Sequence, residues 1–411
     1  MGALGIQEQV DLLMQGTEYG DEILKQAMAA ELRQRLQLAQ AEGRPLRVYC
    51  GFDPRTSDLH LGHTVPMRKL RQFQELGHEV VFLIGRFTSL IGDPSDKDKL
   101  RPQLTPEETA RNAETYARQA FKILDPQATR IEYNDTWLSK LDFAGLIHLA
   151  SNFTLQQFLT RENFRKRWES GDPIYLHETF YALMQGYDAY SLRADVQVGG
   201  TDQLFNIVTA ARKVMEFMGA KPNVGIILGI LPGTDGVVKM SKSLGNHIPL
   251  NTSAEDMYGK VMSIPDAAMG SYARLVTRWG PAEIAEAERD LSGGRLHPRD
   301  LKMRLAREIV AIYYGEAEAA PAEAGFRRVF QEQQVPEVMA EFRLRPGLAL
   351  VDLLVEAGVA STRSDARRLI EQRGVRLDDQ LLEDSKAVLE VPRPAVLKVG
   401  KRRFLRLLPP A

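Results

Sequence analysis

Several features that would mark a particular class of protein are scarce or missing in this chain of 411 residues. A single cysteine excludes a disulfide framework and a cysteine-rich zinc site, and such usage is typical of a reducing cytosol. No run of about 18 apolar residues is present, so we expect no membrane-spanning helix and no membrane partner. The first residues lack a basic stretch followed by an apolar core, so we expect a cytoplasmic protein without a secretory signal.

An excess of charge of one sign is also missing, because 53 Lys and Arg stand against 54 Asp and Glu. The net charge of −1 does not indicate nucleic-acid binding by the whole chain, so any basic surface has to be local. From residue 341 onward, 14 Lys or Arg stand against 10 Asp or Glu, a local net charge of +4. The chain also lacks a Walker phosphate loop, internal repeats and low-complexity tracts.

The first half of the chain alternates between short apolar runs and helical patterns. Strands are expected at 47–52, 79–85, 129–133, 194–198 and 224–231, and helices at 59–76, 105–124 and 201–218. A helical lead-in at 6–43 and a helical insertion at 135–190 accompany them. This alternation predicts a Rossmann-type, doubly wound parallel sheet, which binds ligands at the carboxyl ends of its strands.

The second half of the chain has a different pattern. Residues 252–330 contain no convincing strand, and Thr252 to Glu255 reads as a capping box that opens the first helix. Val335-Pro336 and 345–347 indicate a linker before a small α+β segment. We therefore expect a catalytic domain at 1–235, the lysine loop and a helical domain at 236–335, and a third domain at 345–411.

The first strand leads into two histidines, His60 and His63, near a helix start for which Asp58 is a suitable N-cap. A helix N-terminus offers unpaired N–H groups and a positive dipole end, which suit a polyphosphate. Two histidines beside a cap are also common on protein surfaces, so both interpretations stay open here. Pro66 lies within the same helix, where we expect a kink or a loosened turn.

A second basic motif, Lys239 and Lys242, lies in a loop with glycines at 233, 236 and 245. Two ammonium groups in a movable loop suit a pyrophosphate, although an exposed basic turn would show the same residues. A turn with Asp93, Lys97 and Arg101 lies between the strand expected at 79–85 and the helix expected at 105–124. These charged side chains could bind an amine and phosphates, or they could simply be solvated.

Tyr181, Gln185 and Asp188 share one face of a predicted helix with apolar neighbours, which indicates either a lined pocket or a solvated stripe. Downstream, Asp202 and Gln203 follow a Gly-Gly turn where a strand becomes a helix. Glycines there let a ligand approach the backbone, but a Gly-Gly turn alone is weak support.

In combination, these motifs resemble those of bacterial tyrosyl-tRNA synthetases, a class I family, over essentially the whole chain. The resemblance implies that His60 and His63 stabilise ATP phosphates, and that Lys239 and Lys242 hold the leaving pyrophosphate. It further implies that ATP is contacted by Asp53, Asp202 and Met240. A departure is Asp96, which stands where many relatives have glycine.

The resemblance also assigns the amino-acid site. Tyr49 and Asp188 match the pair that hydrogen-bonds the substrate phenol, and Gln203 matches a residue near the reacting carboxylate. The residues that match those around the substrate ammonium are Asp93, Tyr181 and Gln185. A buried pair left without its phenol partner is costly, so phenylalanine should be rejected.

The last segment is similar to a small RNA-binding module shared with a ribosomal protein, and Arg363, Arg367 and Arg368 are its candidate RNA contacts. Solvated arginines on an amphipathic helix remain the alternative. The implied partners are tRNA(Tyr), L-tyrosine, ATP with Mg²⁺ and a second copy of the chain. We expect no structural metal bound by the protein.

Two other functions stay open at this point. A sister synthetase for tryptophan would share the fold and both motifs, although an indole gives Tyr49 and Asp188 no phenol to bind. An RNA-binding relative that has lost catalysis would have no need for both the histidine and the lysine motif.

Overall fold

The structure is a computed structural model and describes residues 4–54, 59–95, 105–330, 339–378, 380–400 and 403–410. The chain forms two compact units, residues 1–319 and 320–411. No helix within the described ranges is long and apolar enough to cross a membrane. Several residues named above lie outside these ranges: Asp58, Asp96, Lys97, Arg101 and Val335-Pro336.

A five-stranded sheet lies in the first unit. Its strands are β1 (Arg47–Phe52), β2 (Glu79–Ile84), β3 (Thr129–Tyr133), β4 (Val196–Gly200) and β5 (Val224–Leu228). All neighbours are parallel, and the order across the sheet is β3-β2-β1-β4-β5. The residues of β5 are all buried, as expected for a sheet covered on both faces. This is the Rossmann arrangement, so the predicted fold class is confirmed.

Helices make up most of the rest of the described chain as far as residue 330. They are α1 (Ile6–Met14), α2 (Glu22–Ala41), α3 (Leu61–Glu75), α4 (Thr88–Ile91), α5 (Pro106–Ala120), α6 (Asp135–Leu138), α7 (Phe143–Ala150), α8 (Leu155–Leu159), α9 (Glu162–Ser170), α10 (Leu176–Leu192), α11 (Arg212–Phe217), α12 (Ala254–Met262), α13 (Met269–Val276), α14 (Pro281–Ser292), α15 (Pro298–Tyr314) and α16 (Glu316–Phe330). Helices α6 to α10 form the predicted insertion between β3 and β4.

The start of α3 differs from the sequence-based prediction. Its N-cap is His60, whose Nδ1 accepts the Gly62 N–H at 3.2 Å, so the assignment of Asp58 as the cap was wrong. A tertiary contact fixes this start, because the Leu61 N–H donates to the Ile248 carbonyl at 2.9 Å. The helix also continues through Pro66 without a break.

Pro66 deprives the Gly62 carbonyl of its usual helical donor. Gly62 and Pro66 both line a cavity. The helix tolerates this loss, and the expected kink or loosened turn at Pro66 stays a prediction.

Two further predicted elements are altered. Ser253, not Thr252, caps α12, because the Thr252 hydroxyl donates to the Asp256 carboxylate at 2.5 Å. The helix predicted at 201–218 is divided into a 3₁₀ turn (Thr201–Gln203), a π-helical segment (Phe205–Ala211) and α11. Segments of π-helix are typical of functional sites, and this one follows β4 directly.

Beyond α16, the described residues of the second unit form a mixed five-stranded sheet and two helices. Its elements are β6 (Ala340–Arg343), α17 (Leu350–Glu356), α18 (Arg363–Glu371), β7 (Val375–Leu377), β8 (Gln380–Leu381), β9 (Ala395–Val399) and β10 (Arg403–Leu408). The order is β6-β10-β9-β7-β8, with β6 parallel to β10. The predicted small α+β fold is confirmed, and its sheet begins at Ala340, before the expected boundary at residue 345.

Candidate active site

A cavity of about 560 Å³ lies at the carboxyl ends of the central strands of the first unit. Its lining includes residues from β1, β4 and β5 and from the loops that follow them. Chain order reverses between β1 and β4, and doubly wound sheets bind ligands at such a switch point. The predicted site residues that line the cavity are Tyr49, Asp53, His60, His63, Asp93, Tyr181, Gln185, Asp188, Asp202, Gln203, Lys239 and Met240.

Tyr49 and Asp188 are buried together at one part of this cavity. The Tyr49 side chain is fully buried, and its hydroxyl donates to the Gln185 carbonyl across a long 3.4 Å. Asp188 is 3% exposed and accepts two hydrogen bonds, from Trp137 Nε1 at 2.7 Å and from Asn134 Nδ2 at 3.2 Å. Both carboxylate oxygens therefore have a fixed orientation before any ligand binds.

Burial governs the protonation of this pair. It raises the pKa of the Asp188 carboxyl to about 7, although the hydrogen bonds from Trp137 and Asn134 favour the charged form. Burial and the nearby Asp188 charge raise the pKa of Tyr49 well above its ordinary value, so its hydroxyl keeps its proton. Gln185 adds a buried Oε1 that has no hydrogen-bond partner among the described residues. The arrangement can accept from and donate to a phenol while an acceptor remains for an amine.

Asp53 follows β1 and is held from two sides. The Thr88 hydroxyl donates to Oδ1 at 2.8 Å, and the Tyr181 hydroxyl donates to Oδ2 at 3.1 Å. A Cβ on Gly85 would collide with the Asp53 and Thr88 oxygens, which explains why glycine stands there. Asp53, which is predicted to contact ATP, and Tyr181, which is predicted to bind the substrate ammonium group, are thus joined by a hydrogen bond.

Asp93 and Gln203 are also paired directly. Gln203 Nε2 donates to Asp93 Oδ2 at 2.5 Å, and Asn206 Nδ2 donates to Gln203 Oε1 at 3.0 Å. The Ser95 hydroxyl accepts from Asn206 at 3.1 Å and from the buried Arg161 guanidinium at 2.6 Å. This network fixes the Gln203 amide, so that its NH₂ group faces the carboxylate.

The two histidines lie in contact, with ring centroids 3.9 Å apart. Burial lowers the pKa of His60 to about 3 and that of His63 to about 4, and the positive charge of Lys239 acts in the same direction. Both rings are therefore neutral near pH 7. Each Nδ1 accepts a backbone N–H, from Gly62 for His60 and from His60 for His63, so each Nε2 carries the proton and can donate to an anion.

The lysine loop reaches the cavity through Lys239 and Met240. Lys239 Nζ lies 3.7 Å from Asp202 Oδ2, so two predicted ATP residues form an ion pair. Met240 is 2% exposed and lines the cavity. Lys242 is exposed on the 3₁₀ turn Lys242–Leu244 and does not line it. The structure therefore brings one of the two lysines to the site.

Asn246 anchors this loop. Its Oδ1 accepts the Ser241 N–H at 2.8 Å, and its Nδ2 donates to Asp235 Oδ2 at 2.5 Å and to the Lys239 carbonyl at 3.3 Å. Two residues further on, the Ile248 carbonyl accepts the Leu61 N–H of the histidine helix. One short segment therefore connects the lysine and histidine motifs.

Metal ligands are not clustered in the described part of the chain, where no group of three or more His, Cys, Asp or Glu is placed to hold an ion. In the second unit, Arg363 pairs with Asp352 at 2.5 Å, and Arg368 pairs with Asp365 at 2.6 Å. Arg367 is exposed on the same helix, α18. All three guanidinium groups are at the surface of that unit.

Comparison with known proteins decides the family. A model described as tRNA synthetases class I (W and Y) matches residues 41–331, and the S4 domain matches residues 350–391. The tyrosine–tRNA ligase of Moorella thermoacetica is 49% identical over 92% of this chain and 91% of its own length. That of Desulfotalea psychrophila is 44% identical over 98% of each chain. The chain belongs to the class I tyrosine–tRNA ligases.

Solved structures of tyrosyl-tRNA synthetases share the fold. The mitochondrial enzyme of Aspergillus nidulans has a TM-score of 0.61 at 24% identity, over 79% of this chain and 93% of its own. The enzyme of Archaeoglobus fulgidus, complexed with L-tyrosine, has a TM-score of 0.59 at 23% identity, over 78% of this chain and 100% of its own.

Several residues that shape the site of this ligase were missed by the sequence analysis: Thr88, Asn134, Trp137, Arg161 and Asn206. Asn134 follows β3 directly, so its place at the carboxyl end of a strand was a usable signal. No such signal in the sequence marked Arg161 and Trp137. Both reach the site from the helical insertion, and the periodicity of the sequence does not specify how that insertion packs.

Proposed function

We propose that this tyrosine–tRNA ligase works in two steps at the cavity described above. Tyrosine is first activated by ATP to tyrosyl-adenylate, and the tyrosyl group then passes to the 3′ end of tRNA(Tyr). The observation that carries the proposal is the buried Tyr49–Asp188 pair, which shares a cavity with the neutral histidine pair and Lys239.

The phenol of the substrate would bind between Tyr49 and Asp188. The Asp188 carboxylate accepts a hydrogen bond from the phenol hydroxyl, while Tyr49 exchanges its long contact with the Gln185 carbonyl for a donation to the phenol oxygen. Trp137 and Asn134 position Asp188 and leave its remaining acceptor capacity for the ligand. Phenylalanine has no hydroxyl to pair with either group, so we expect it to be rejected.

The ammonium group of the substrate would lie among Asp93, Tyr181 and Gln185. The unpartnered Gln185 Oε1 and the negative Asp93 support this assignment, because an ammonium group has three donors to satisfy. An ammonium at Asp93 would compete with the Gln203 amide, whose freed N–H would then turn to the substrate carboxylate.

In the first step a carboxylate oxygen of tyrosine attacks the α-phosphorus of ATP. The new O–P bond forms as the bond to pyrophosphate breaks, and no side chain becomes covalently attached. His60 and His63 donate through Nε2–H to the phosphate oxygens, and Lys239 and Lys242 neutralise the leaving pyrophosphate. The rate enhancement comes from positioning and from charge stabilisation in the transition state.

ATP binding would also rearrange the Lys239–Asp202 ion pair. Asp202 is proposed to accept from the ribose hydroxyls, while Asp53 and Met240 lie beside the nucleotide. Binding of the ribose would then release Lys239 toward the phosphates. Magnesium would enter with ATP and be held chiefly by its phosphates.

The second step requires tRNA, for which the second unit is the proposed docking module. Its match to the S4 domain and the exposed Arg363, Arg367 and Arg368 support this role. In functional terms we keep the division into a catalytic domain (1–235), a lysine loop with a helical tRNA-binding domain (236–335) and an RNA-binding domain (345–411).

A homodimer in the cytoplasm is the proposed form of the enzyme. Large apolar side chains of the insertion are exposed in the single chain: Phe143 77%, Ile147 55%, Leu155 58%, Trp168 66% and Leu176 68%. Exposed apolar groups of this kind are typical of a protein interface. A solution mass near twice 46.1 kDa by sedimentation equilibrium would agree with this, and a mass of one chain would contradict it.

Amino-acid-dependent exchange of pyrophosphate into ATP tests the main proposal. We expect exchange with tyrosine and none with phenylalanine or tryptophan. Exchange with tryptophan alone would instead indicate the sister enzyme, and no exchange with any amino acid would indicate a silent RNA-binding relative. The tyrosine-specific names of the relatives favour the first outcome.

A further inference from the structure

Tyr116 on α5 is a buried tyrosine that none of the steps above uses. It is 4% exposed and lines the cavity. Its ring meets that of His63 nearly at a right angle, with centroids 6.4 Å apart, and lies 6.2 Å from the Phe52 ring. Tyr116 therefore lies beside the histidine that is proposed to contact ATP.

The hydroxyl of Tyr116 has no hydrogen-bond partner anywhere in the described ranges of the chain. A buried tyrosine hydroxyl normally finds one, because leaving it unpaired costs free energy. Burial and the nearby Asp53 charge raise the pKa of this hydroxyl well above its ordinary value, so it keeps its proton. The group is thus a neutral donor on a residue that lines the cavity, where a bound ligand can accept from it.

We propose that the Tyr116 hydroxyl donates a hydrogen bond to the triphosphate of ATP. The inference rests on the proposed function and adds a phosphate contact to it. Tyr116 contacts His63 and Phe52, whereas the phenol site is built from Tyr49 and Asp188. A phosphate oxygen accepts from a neutral hydroxyl as readily as from the neutral imidazoles beside it.

The test is Tyr116→Phe in the full-length chain, which removes only the hydroxyl. We expect ATP affinity by equilibrium dialysis to fall about tenfold, because a hydrogen bond to a charged acceptor is lost. Affinity for adenosine and the KM for tyrosine should be unchanged. Tyr19→Phe is the matched control, because it removes a buried hydroxyl that donates to the Gly225 carbonyl outside the cavity, and ATP affinity should not change.

Unchanged ATP affinity in Tyr116→Phe, with an unchanged thermal midpoint, would overturn the inference. An equal loss of affinity for adenosine would also overturn it, because the contact would then be with the nucleoside. A higher KM for tyrosine, with unchanged ATP affinity, would overturn it as well. Pyrophosphate exchange by the wild-type chain tests the proposed function separately from the role of Tyr116. If it fails to exchange pyrophosphate with tyrosine, the function is wrong whatever Tyr116 does.

Discussion

Asp188 is the residue whose charge state matters most for recognition of the amino acid. Burial raises the pKa of its carboxyl to about 7, whereas burial lowers the pKa values of His60 and His63 to about 3 and about 4. Between pH 6 and pH 8, therefore, Asp188 changes charge and the two histidines do not.

We expect the KM for tyrosine to fall as the pH rises from 6 to 8. Below pH 7 the protonated Asp188 is a neutral acid, and above it the carboxylate is a charged acceptor for the phenol. Asp188→Asn should raise the KM for tyrosine by about ten- to a hundredfold and remove this pH dependence. Exchange kinetics at several pH values measure both effects.

Asp142→Asn is a suitable control, because Asp142 caps α7 away from the cavity and asparagine caps a helix equally well. The KM for ATP should stay flat over the same range, because both histidines remain neutral. A KM for tyrosine that does not vary between pH 6 and pH 8 would contradict the role of Asp188.

At the scale of elements, the Asn246 side chain connects three parts of the lysine loop. Asn246 is 7% exposed and binds the Ser241 N–H, the Lys239 carbonyl and the Asp235 carboxylate. Alanine at this position would release all three contacts and loosen the backbone around Lys239, where the Met240 N–H would still donate to the Leu231 carbonyl.

Asn246→Ala should therefore slow adenylate formation about tenfold or more, with a smaller change in tyrosine affinity. Single-turnover activation with preformed enzyme–tyrosine complex measures the chemical step separately. Ser243→Ala is the control on the same loop, since it removes only an exposed hydroxyl that contacts Ser241. Equal rates for wild type and Asn246→Ala would mean that the loop is positioned by ATP rather than by the protein.

Local and tertiary effects can be separated at the ends of the helices. The start of α5 was predictable, because Thr105 and Glu108 form a capping box within four residues of chain. The start of α3 was not, because Ile248, far away in sequence, accepts the Leu61 N–H. The segment predicted as a helix at 201–218 is helical as far as Phe217, but its π-helical part was not predictable, since no periodicity distinguishes a π-helical segment from an α-helix.

At the scale of the whole molecule, Asp195 joins elements at the amino ends of the strands, opposite the site. It is 7% exposed and accepts from Arg35 at 3.0 Å, from Arg44 at 2.8 Å and from the Arg47 N–H at 3.0 Å. Burial alone would raise the pKa of its carboxyl, but these donors hold it below the ordinary 3.8.

Asp195→Asn should lower the free energy of unfolding by about 3 kcal/mol or more, because Arg35 stays buried without its counter-ion. The lowered pKa means that the wild-type contribution is fully present above about pH 4, declines below it and is lost as the pH falls through the lowered pKa of the folded state. Urea unfolding at pH 7 and pH 3.5 measures this, and the gap between variant and wild type should narrow at the lower pH.

The matched control is Glu42→Gln, which removes an exposed partner of Arg44. Its effect should stay within about 0.5 kcal/mol. A variant Asp195→Asn as stable as the wild type at pH 7 would show that the three donors find other partners.

Deletion of residues 331–411 should leave pyrophosphate exchange within about threefold of wild type, because the cavity lies wholly in the first unit. Charging of tRNA should fall by about tenfold or more, because the proposed RNA contacts are lost. A deletion that began at residue 345 would be harder to interpret, since it would leave β6 without its partner strand β10. Equal loss of both activities would mean that the second unit supports the fold of the first.

The sequence by itself determined the class of sheet, the two motifs and many of the residues that line the cavity, because each depends on local pattern or on the resemblance to a family. The tertiary structure decided which groups touch. It brought Tyr181 to Asp53, Gln203 to Asp93 and Lys239 to Asp202. It also decided the pKa values, because desolvation depends on everything packed around a group, and periodicity along the chain does not encode that environment.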